Sequence, residues 1–258
     1  KVAGIWTLVF VAVSLLFAGL VYLDQGHQKA MEFLSAYVIE KTLSVDNLFV
    51  FIMIFGYFNV PKAYHHKVLF WGIIGAFVLR AIFIFAGVSL IGFTYVELWG
   101  IRFNIILMAF GAFLVYAGIK AGIEAMNDVP DEEEQNFDTS PGAKFVRKIF
   151  GSHITKDYVG DKFVVKQPVS IVKESVLKSS LGVKFTTHNK ITVMMNFATP
   201  LLIVVGVVEF TDLLFAVDSI PAIFSVSSDP FILYSSNIFA ILGLRSMYFL
   251  LANLLPLF

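Results

Sequence analysis

Six long apolar runs leave this chain one class of fold. They cover roughly Gly4–Leu23, Ala30–Phe58, Val68–Gly92, Arg102–Ile123, Phe197–Ile220 and Phe231–Leu254. Each is near the ~20 residues that carry an α-helix across ~30 Å of hydrocarbon. The runs are continuous rather than alternating, which argues against a transmembrane barrel. Only 15% of the 258 residues are charged, where soluble domains hold about 25%. The chain reads as an all-α, polytopic helical membrane protein in a lipid bilayer. The first run is long, lacks a small-residue cleavage pattern and precedes further spans. It reads as a retained helix, not a signal peptide.

Three regions follow. Residues 1–123 hold an N-terminal helix and a first transmembrane unit, residues 124–196 a polar segment, and residues 197–258 a second, incomplete unit. In the polar segment, "NDVPDEEEQNFDTSPG" reads as a flexible linker and its acidic run Asp131–Glu134 as solvated. Tyr158–Val165 has hairpin character, with turn residues between β-formers. "KESVLKSSLGVKF" suggests a short amphipathic helix closed by Gly182. Lys62 and Lys67, with the many Lys and Arg of the polar segment, place that side in the cytoplasm. Lys29 and Arg102 fall on the other side.

The 19 basic and 19 acidic residues cancel, so no global field points to nucleic acid. With no cysteine, disulfides, thiolate nucleophiles and soft metal sites are excluded. No Walker-type glycine pattern is present, and no nucleophile or protease-type motif, so the chain is not expected to be an enzyme.

Two pieces of sequence recur. "VDNLFVF" (Val45–Phe51) matches "TDLLFAV" (Thr211–Val217) and sets Asp46 on Asp212, an offset of 212 − 46 = 166. "LRAIFIF" (Leu79–Phe85) matches "LRSMYFL" (Leu244–Leu250) and sets Arg80 on Arg245, an offset of 245 − 80 = 165. The unit begins at the second helix and returns at the fifth. An odd number of crossings inverts the second copy, giving two inverted three-helix repeats after an extra N-terminal helix. Such repeats with a site at their interface are a transporter architecture. Completing the second copy requires a seventh helix, equivalent to the fourth, beyond Phe258.

The spanning runs hold Glu40, Asp46, Glu209, Asp212 and Asp218, together with Lys41, Arg80 and Arg245. Each costs roughly 2.5–3.5 kcal/mol if it faces lipid at the bilayer centre, so these groups must face one another or a wet cavity. Five acids less three bases leave a formal charge of 3 − 5 = −2. A divalent cation, or protons on carboxylates of raised pKa, would neutralise it. Glu209 and Asp212 lie about 60° apart on one helix face. Glu40 and Ser44 share a face, and Asp46 sits about 120° from Glu40. Asp218 lies on the far side of an unbroken helix. Pro221 removes a bond to the Val217 carbonyl, and a break there would turn Asp218 inward. Ser44, Asn47 and Asn237 are neutral oxygen donors in apolar surroundings. An all-oxygen set suits Mn²⁺, Mg²⁺ or Ca²⁺ over Cu⁺ or Zn²⁺.

Blander roles stand beside these. Arg80 and Arg245 serve equally as structural locks for the acids. Lys41 is a counter-ion or snorkels to the interface, and Asn237 is a ligand or an inter-helix hydrogen bond. His65 and His66 read as solvated loop residues.

"EKTLSVDNLFVF" and "EFTDLLFAVDSIPAIFSVSSDP", followed by "SSNIFAILGLRSMYFLLA", resemble the TerC/Alx family of integral membrane proteins over most of the hydrophobic chain. That family is associated by name with tellurium resistance and, in its Alx branch, with Mn²⁺ export. It belongs to a superfamily of exporters with duplicated three-helix units. The resemblance implies a metal pathway on Glu40, Asp46, Glu209, Asp212 and Asp218, with Lys41, Arg80 and Arg245 balancing charge. It implies a multi-pass protein of the bacterial inner membrane that exports divalent cations, Mn²⁺ first, with protons as counter-ion and no organic cofactor. Family members continue into another helix after "YFLLANLL", and the segment 167–196 is longer here than the family's short connection. A membrane scaffold in a metal-stress complex is the alternative. An exporter of organic cations or amino acids is a further rival.

Overall fold

A computed structural model describes residues 2–98, 101–126, 136–151, 153–178 and 184–254. The first run forms α1 (Val2–Gln25), the second α2 (His27–Tyr57) and the third α3 (Lys62–Phe93). Gly26, at φ 90°, joins α1 to α2 in one residue, a left-handed turn that glycine adopts without a Cβ penalty. After α3 comes a two-stranded turn of β1 (Tyr95–Leu98) and β2 (Ile101–Asn104), then α4 (Ile105–Met126). Asn104 starts α4: its Oδ1 accepts from the amides of Ile106 (3.1 Å) and Leu107 (3.0 Å) while Nδ2 donates to Ile91 O (2.7 Å). That side chain supplies two of the orphan bonds at a helix start.

The fifth run is α6 (Pro200–Phe224), and the sixth is broken into α7 (Pro230–Leu242) and α8 (Leu244–Leu254). Pro230 occupies the first turn of α7 after Asp229, whose carboxylate accepts from the Phe231 amide. Four stretches, Val2–Gln25, Lys62–Phe93, Pro200–Phe224 and Pro230–Leu254, are long and apolar enough to cross a membrane. At 31 residues, α2 is longer than a bilayer needs, and it carries three of the eight charged residues of the spanning runs, Glu40, Lys41 and Asp46. The described chain is mainly helical, as a multi-pass membrane protein should be.

The polar segment differs most from its sequence reading. Part of it is packed rather than a linker. A 3-10 turn at Phe137–Thr139 leads into α5 (Pro141–Phe150), started by Ser140, whose Oγ accepts from the Ala143 amide (3.2 Å). α5 lies against α6 so closely that a Cβ on Gly142 would overlap the Gly206 carbonyl. Small residues permit such backbone approach. The acidic run Asp131–Glu134 lies outside the described residues. The amphipathic helix expected around Lys173–Phe185 is not formed. Lys173–Lys178 belongs to β3 (Val164–Lys178), and Lys184 and Phe185 to β4 (Lys184–Ala198), an antiparallel pair in register from Val164↔Ala198 to Lys178↔Lys184. Val, Ile and Thr supply six of the 15 residues of β3 and five of the 15 of β4, and these β-branched residues suit a pleated ribbon. Gly182 lies outside the described residues. The expected hairpin at Tyr158–Val165 reduces to a turn at Gly160 (φ 56°) that feeds β3.

The polar segment marks one end of the bundle. Tyr57 at the end of α2 donates to Asn136 (2.9 Å), and Tyr158 donates to Phe58 O (2.8 Å). Lys67 in the first turns of α3 reaches Asp161 (3.0 Å), and Thr199, just before α6, donates its hydroxyl to Lys162 O (2.7 Å). So α2 ends where α3 and α6 begin, and α2 runs antiparallel to α6. Thr7 of α1 donates to Ser246 of α8 (3.1 Å), which ties the N-terminal helix to the same half of the bundle. The apolar core at this end joins Leu48, Phe55, Leu69, Val204, Val208 and Tyr248. A second cluster at the other end centres on Ile84, Ala216, Ile223 and Leu233. The charged cluster lies between the two.

Candidate functional site

α2, α3, α6 and α7 each send one polar side chain to the middle of the bundle. Glu40 (0% exposed), Arg80 (1%), Asp212 (4%) and Asn237 (1%) are all buried there. Arg80 is the hub. Its Nη1 makes an ion pair with Glu40 Oε1 and donates to Asn237 Oδ1 at 2.6 Å. Its Nη2 lies 3.5 Å from Asp212 Oδ1. The arrangement needs each residue on the inner face of its helix. On α2, Glu40, Ser44, Asn47 and Leu48 are all buried, the spacing of one helical stripe.

Two carboxylates face one guanidinium, so the centre keeps a formal negative charge. It is also under-bonded. Glu40 Oε2, Ser44 Oγ, Asp212 Oδ2 and Arg80 Nε are buried without a hydrogen-bond partner. Buried polar atoms are nearly always paired, and each orphan carries a desolvation cost. A void of about 10 Å³ against Asp212, lined also by Gly72, Ala76 and Val208, is near the smallest space that holds a water molecule. The free oxygens are hard donors of the kind that hold Mn²⁺, Mg²⁺ or Ca²⁺. Among the described residues no three His, Asp or Glu side chains converge, because Arg80 stands between the two acids.

The other predicted residues are spread around this centre. Glu209, one turn before Asp212 on α6, is half-buried, and its carboxylate rests on Gly75 of α3 where a Cβ would overlap it. Asn47 is buried on the inner face of α2, but Asp46 is exposed on the outer one. Helical geometry turns Asp46 about 120° from Glu40, so the structure does not bring it to the centre. The side chain of Asp218 lies outside the described residues. α6 continues through Asp218 and Pro221 without a break. Pro221, in the last turn, removes the helical bond to the Val217 carbonyl but does not end the helix, which runs on to Phe224.

Lys41 points away from the acids. Its amine donates to Ala240 O (3.1 Å) and packs on Gly243, at the junction of α7 and α8. It satisfies one of the last carbonyls of α7, a favourable place for a cation. Sequence reading missed this helix break. Gly243 inside "AILGLRS" was its signal. Arg245 makes no ion pair with an acid among the described residues and bonds His66 Nδ1 through Nε (3.1 Å) and Nη2 (2.6 Å). His65 and His66 therefore belong to α3, not to a loop: His65 is half-buried and its Nδ1 meets the Tyr248 hydroxyl at 2.9 Å, while His66 is exposed.

The repeat partners land in unlike surroundings. Asp46 is exposed and Asp212 buried; Arg80 is buried and Arg245 partly exposed. A second register fits the geometry better. Glu40 and Asp46 are separated by 46 − 40 = 6 residues, as are Asp212 and Asp218 by 218 − 212 = 6. Setting Glu40 on Asp212 pairs the two acids that flank Arg80.

Residues 25–258 match the family model described as "Integral membrane protein TerC family". The chain is 40% identical over 261 residues to the "Putative membrane-bound redox modulator Alx" of Escherichia coli (strain K12), covering 98% of this chain and 68% of that protein. It is 38% identical over 255 residues to the "Tellurium resistance protein TerC" of Serratia marcescens, covering 98% and 68%. It is 39% identical over 248 residues to the "Uncharacterized membrane protein STKORF319" of Myxococcus xanthus, covering 96% and 65%. The chain thus spans about two thirds of the length of these relatives. No solved structure matches it. A family match over nearly the whole chain, with these identities, makes it a member of the TerC family of integral membrane proteins.

Proposed function

We propose that this protein is a secondary transporter of the bacterial inner membrane that exports divalent metal cations, Mn²⁺ before others, in exchange for protons. One observation carries the reading: two buried carboxylates around one arginine, with carboxylate and hydroxyl oxygens left unbonded, midway along the crossing helices. Intramembrane acids facing a bundle interior mark ion or proton pathways. Glu40 and Asp212, with Ser44 and Asn237, form the central oxygen set. Glu209 sits one turn toward the end bearing the polar segment, which we assign to the cytoplasm. Asp46 and Asp218 belong to the pathway on the family resemblance. The preference for Mn²⁺ rests on the same resemblance, since Mg²⁺ and Ca²⁺ also take oxygen ligands.

In this reading Arg80 is an internal competitor. A divalent cation at the Glu40 and Asp212 oxygens displaces its guanidinium, and protonation of the acids releases the cation. α2–α3 and α6 with the broken α7/α8 helix act as inverted halves whose relative tilt alternates access. Metal uptake into proteoliposomes, with Mn²⁺, Mg²⁺, Ca²⁺ and Zn²⁺ in competition, tests it. Mn²⁺ flux should depend on an imposed pH gradient and vanish in Asp212→Asn. Flux indifferent to the pH gradient removes the proton coupling.

The second reading is a non-transporting scaffold of a metal or tellurium stress complex. The closed ion pairing of Arg80 favours it, because a salt-bridged core needs no cargo. A scaffold retains its resistance phenotype in Asp212→Asn so long as the protein inserts and folds.

A further inference from the structure

A cleft of about 850 Å³ opens between α1, α3 and α8, away from the acidic centre. Its size falls in the ~300–1,000 Å³ range of ligand sites. Apolar side chains make the walls, among them Trp6 and Phe10 of α1 and Phe70, Ile74 and Phe77 of α3. Arg245 and His66 supply the polar end. His66 lies in the second turn of α3, at the end of the bundle that carries the polar segment, which is the level of lipid headgroups. Trp6 is 53% exposed on the rim, in the manner of interfacial aromatics.

The cation at this end has no acidic counterpart among the described residues. Arg245 spends two donors on one imidazole nitrogen of His66. Among the described residues no carboxylate lies within 4.0 Å of it. Lys29, near the opposite end, is by contrast tied to Glu32 (2.9 Å) and Asp229 (3.3 Å). A guanidinium has five N–H donors in a fixed fork suited to phosphate, so three remain on Arg245. An apolar groove that ends in an arginine without an acid, on the side of a membrane protein, complements a two-part amphiphile with an anionic head.

We propose that this cleft binds an anionic phospholipid: acyl chains lie along Phe70, Ile74 and Phe77, and the phosphate is held by Arg245. His66 is the positioning residue, since it fixes the guanidinium plane.

Tryptophan quenching reads this directly. Trp71→Phe with Trp99→Phe leaves Trp6 as the sole tryptophan. Brominated phosphatidylglycerol should quench Trp6 at roughly fivefold lower mole fraction than brominated phosphatidylcholine, the worth of one basic residue near a charged headgroup. Arg245→Gln should bring the ratio to about one, and Arg245→Lys should keep most of it. Should Arg245→Gln fail to insert, ionic strength serves instead: the preference must shrink in 1 M salt, where charge is screened within ~3 Å. Equal quenching by both lipids, as when a protein helix fills the cleft, overturns the proposal. So does a preference that survives both Arg245→Gln and high salt.

Discussion

Arg80 and Arg245 follow a leucine in matching apolar sequence, yet they do opposite things. Arg80 is sealed between Glu40, Asp212 and Asn237. Arg245 lies at the bundle end against a neutral imidazole. The local sequence is the same; the helix faces opposite it are not. α3 meets acids from α2 and α6, whereas α8 meets His66 of α3. The role of an intramembrane arginine is therefore set by its partners, and the matching heptapeptides predict two equivalent locks where only one exists.

Truncating the two arginines sharpens this contrast most. Arg80→Leu leaves two carboxylates buried without a counter-charge and should cost about 3–5 kcal/mol. Arg245→Leu breaks a partly exposed contact and should cost under about 1 kcal/mol. Thermal denaturation of the detergent-solubilised protein measures both. Equal losses would mean that Arg80 is not the hub. Adding Glu40→Gln to Arg80→Leu should recover part of the loss, because the excess charge is then smaller.

The acids give the next contrast. Asp212 faces the centre and Asp46 the outside. Asp212→Asn should lower Mn²⁺ flux at least about tenfold, the loss expected when a metal-site group is changed, with little change in folding. Asp46→Asn tests whether the proposed route leaves the buried face. Flux falling as far as in Asp212→Asn would bring Asp46 to the ion in another conformation of α2. Flux unchanged would confine the route to the buried face.

Glycine contacts separate packing from open surface. Gly142→Val drives a side chain into the Gly206 backbone and should cost roughly 1–3 kcal/mol as overpacking. Gly19, with nothing near its Cβ position, should tolerate alanine with no loss, and gains slightly in helix propensity. Gly75→Ala meets the flexible Glu209 carboxylate first, so it should disturb flux more than stability.

Much of this was legible in the chain. The six apolar runs mark helices, four of them long and apolar enough to span, and the cost of charge in lipid singled out eight residues, of which Glu40, Arg80 and Asp212 meet at the centre. Asn237 stood out as a neutral donor in an apolar run. Sequence could not say which acids share a face with which arginine, because that depends on how the helices cross. A register anchored on the acid spacing, Glu40–Asp46 against Asp212–Asp218, carries more of the geometry than one anchored on apolar matches. The ribbon was hidden for a different reason. Lys173–Lys178 has helix-forming Lys, Glu and Leu, and only pairing with Lys184–Asn189 makes it a strand: tertiary context overrides propensity. Docking of α5 on α6 rests on Gly142 meeting Gly206, a coincidence of two small residues far apart in the chain.

The smallest effect lies where the polar segment meets the bundle. Lys67 reaches the Asp161 carboxylate (3.0 Å) and stands over the Phe163 ring at 4.8 Å. The hydrogen bond and charge of Lys67 hold the Asp161 carboxyl below its ordinary 3.8. A depressed folded pKa stabilises the contact above the unfolded value, and that contribution is lost as pH falls through the folded one. The pair should therefore hold at neutral pH and loosen only below about pH 4. Lys67→Met should move the Asp161 carboxyl ¹³C titration upward toward its ordinary value. It should leave the melting temperature nearly unchanged at pH 7, since exposed ion pairs contribute little. A large loss of stability in Lys67→Met would place the strength of this junction in the stem of Lys67 on Phe163 rather than in its charge. That would set it apart from the Arg80 centre, where charge is everything.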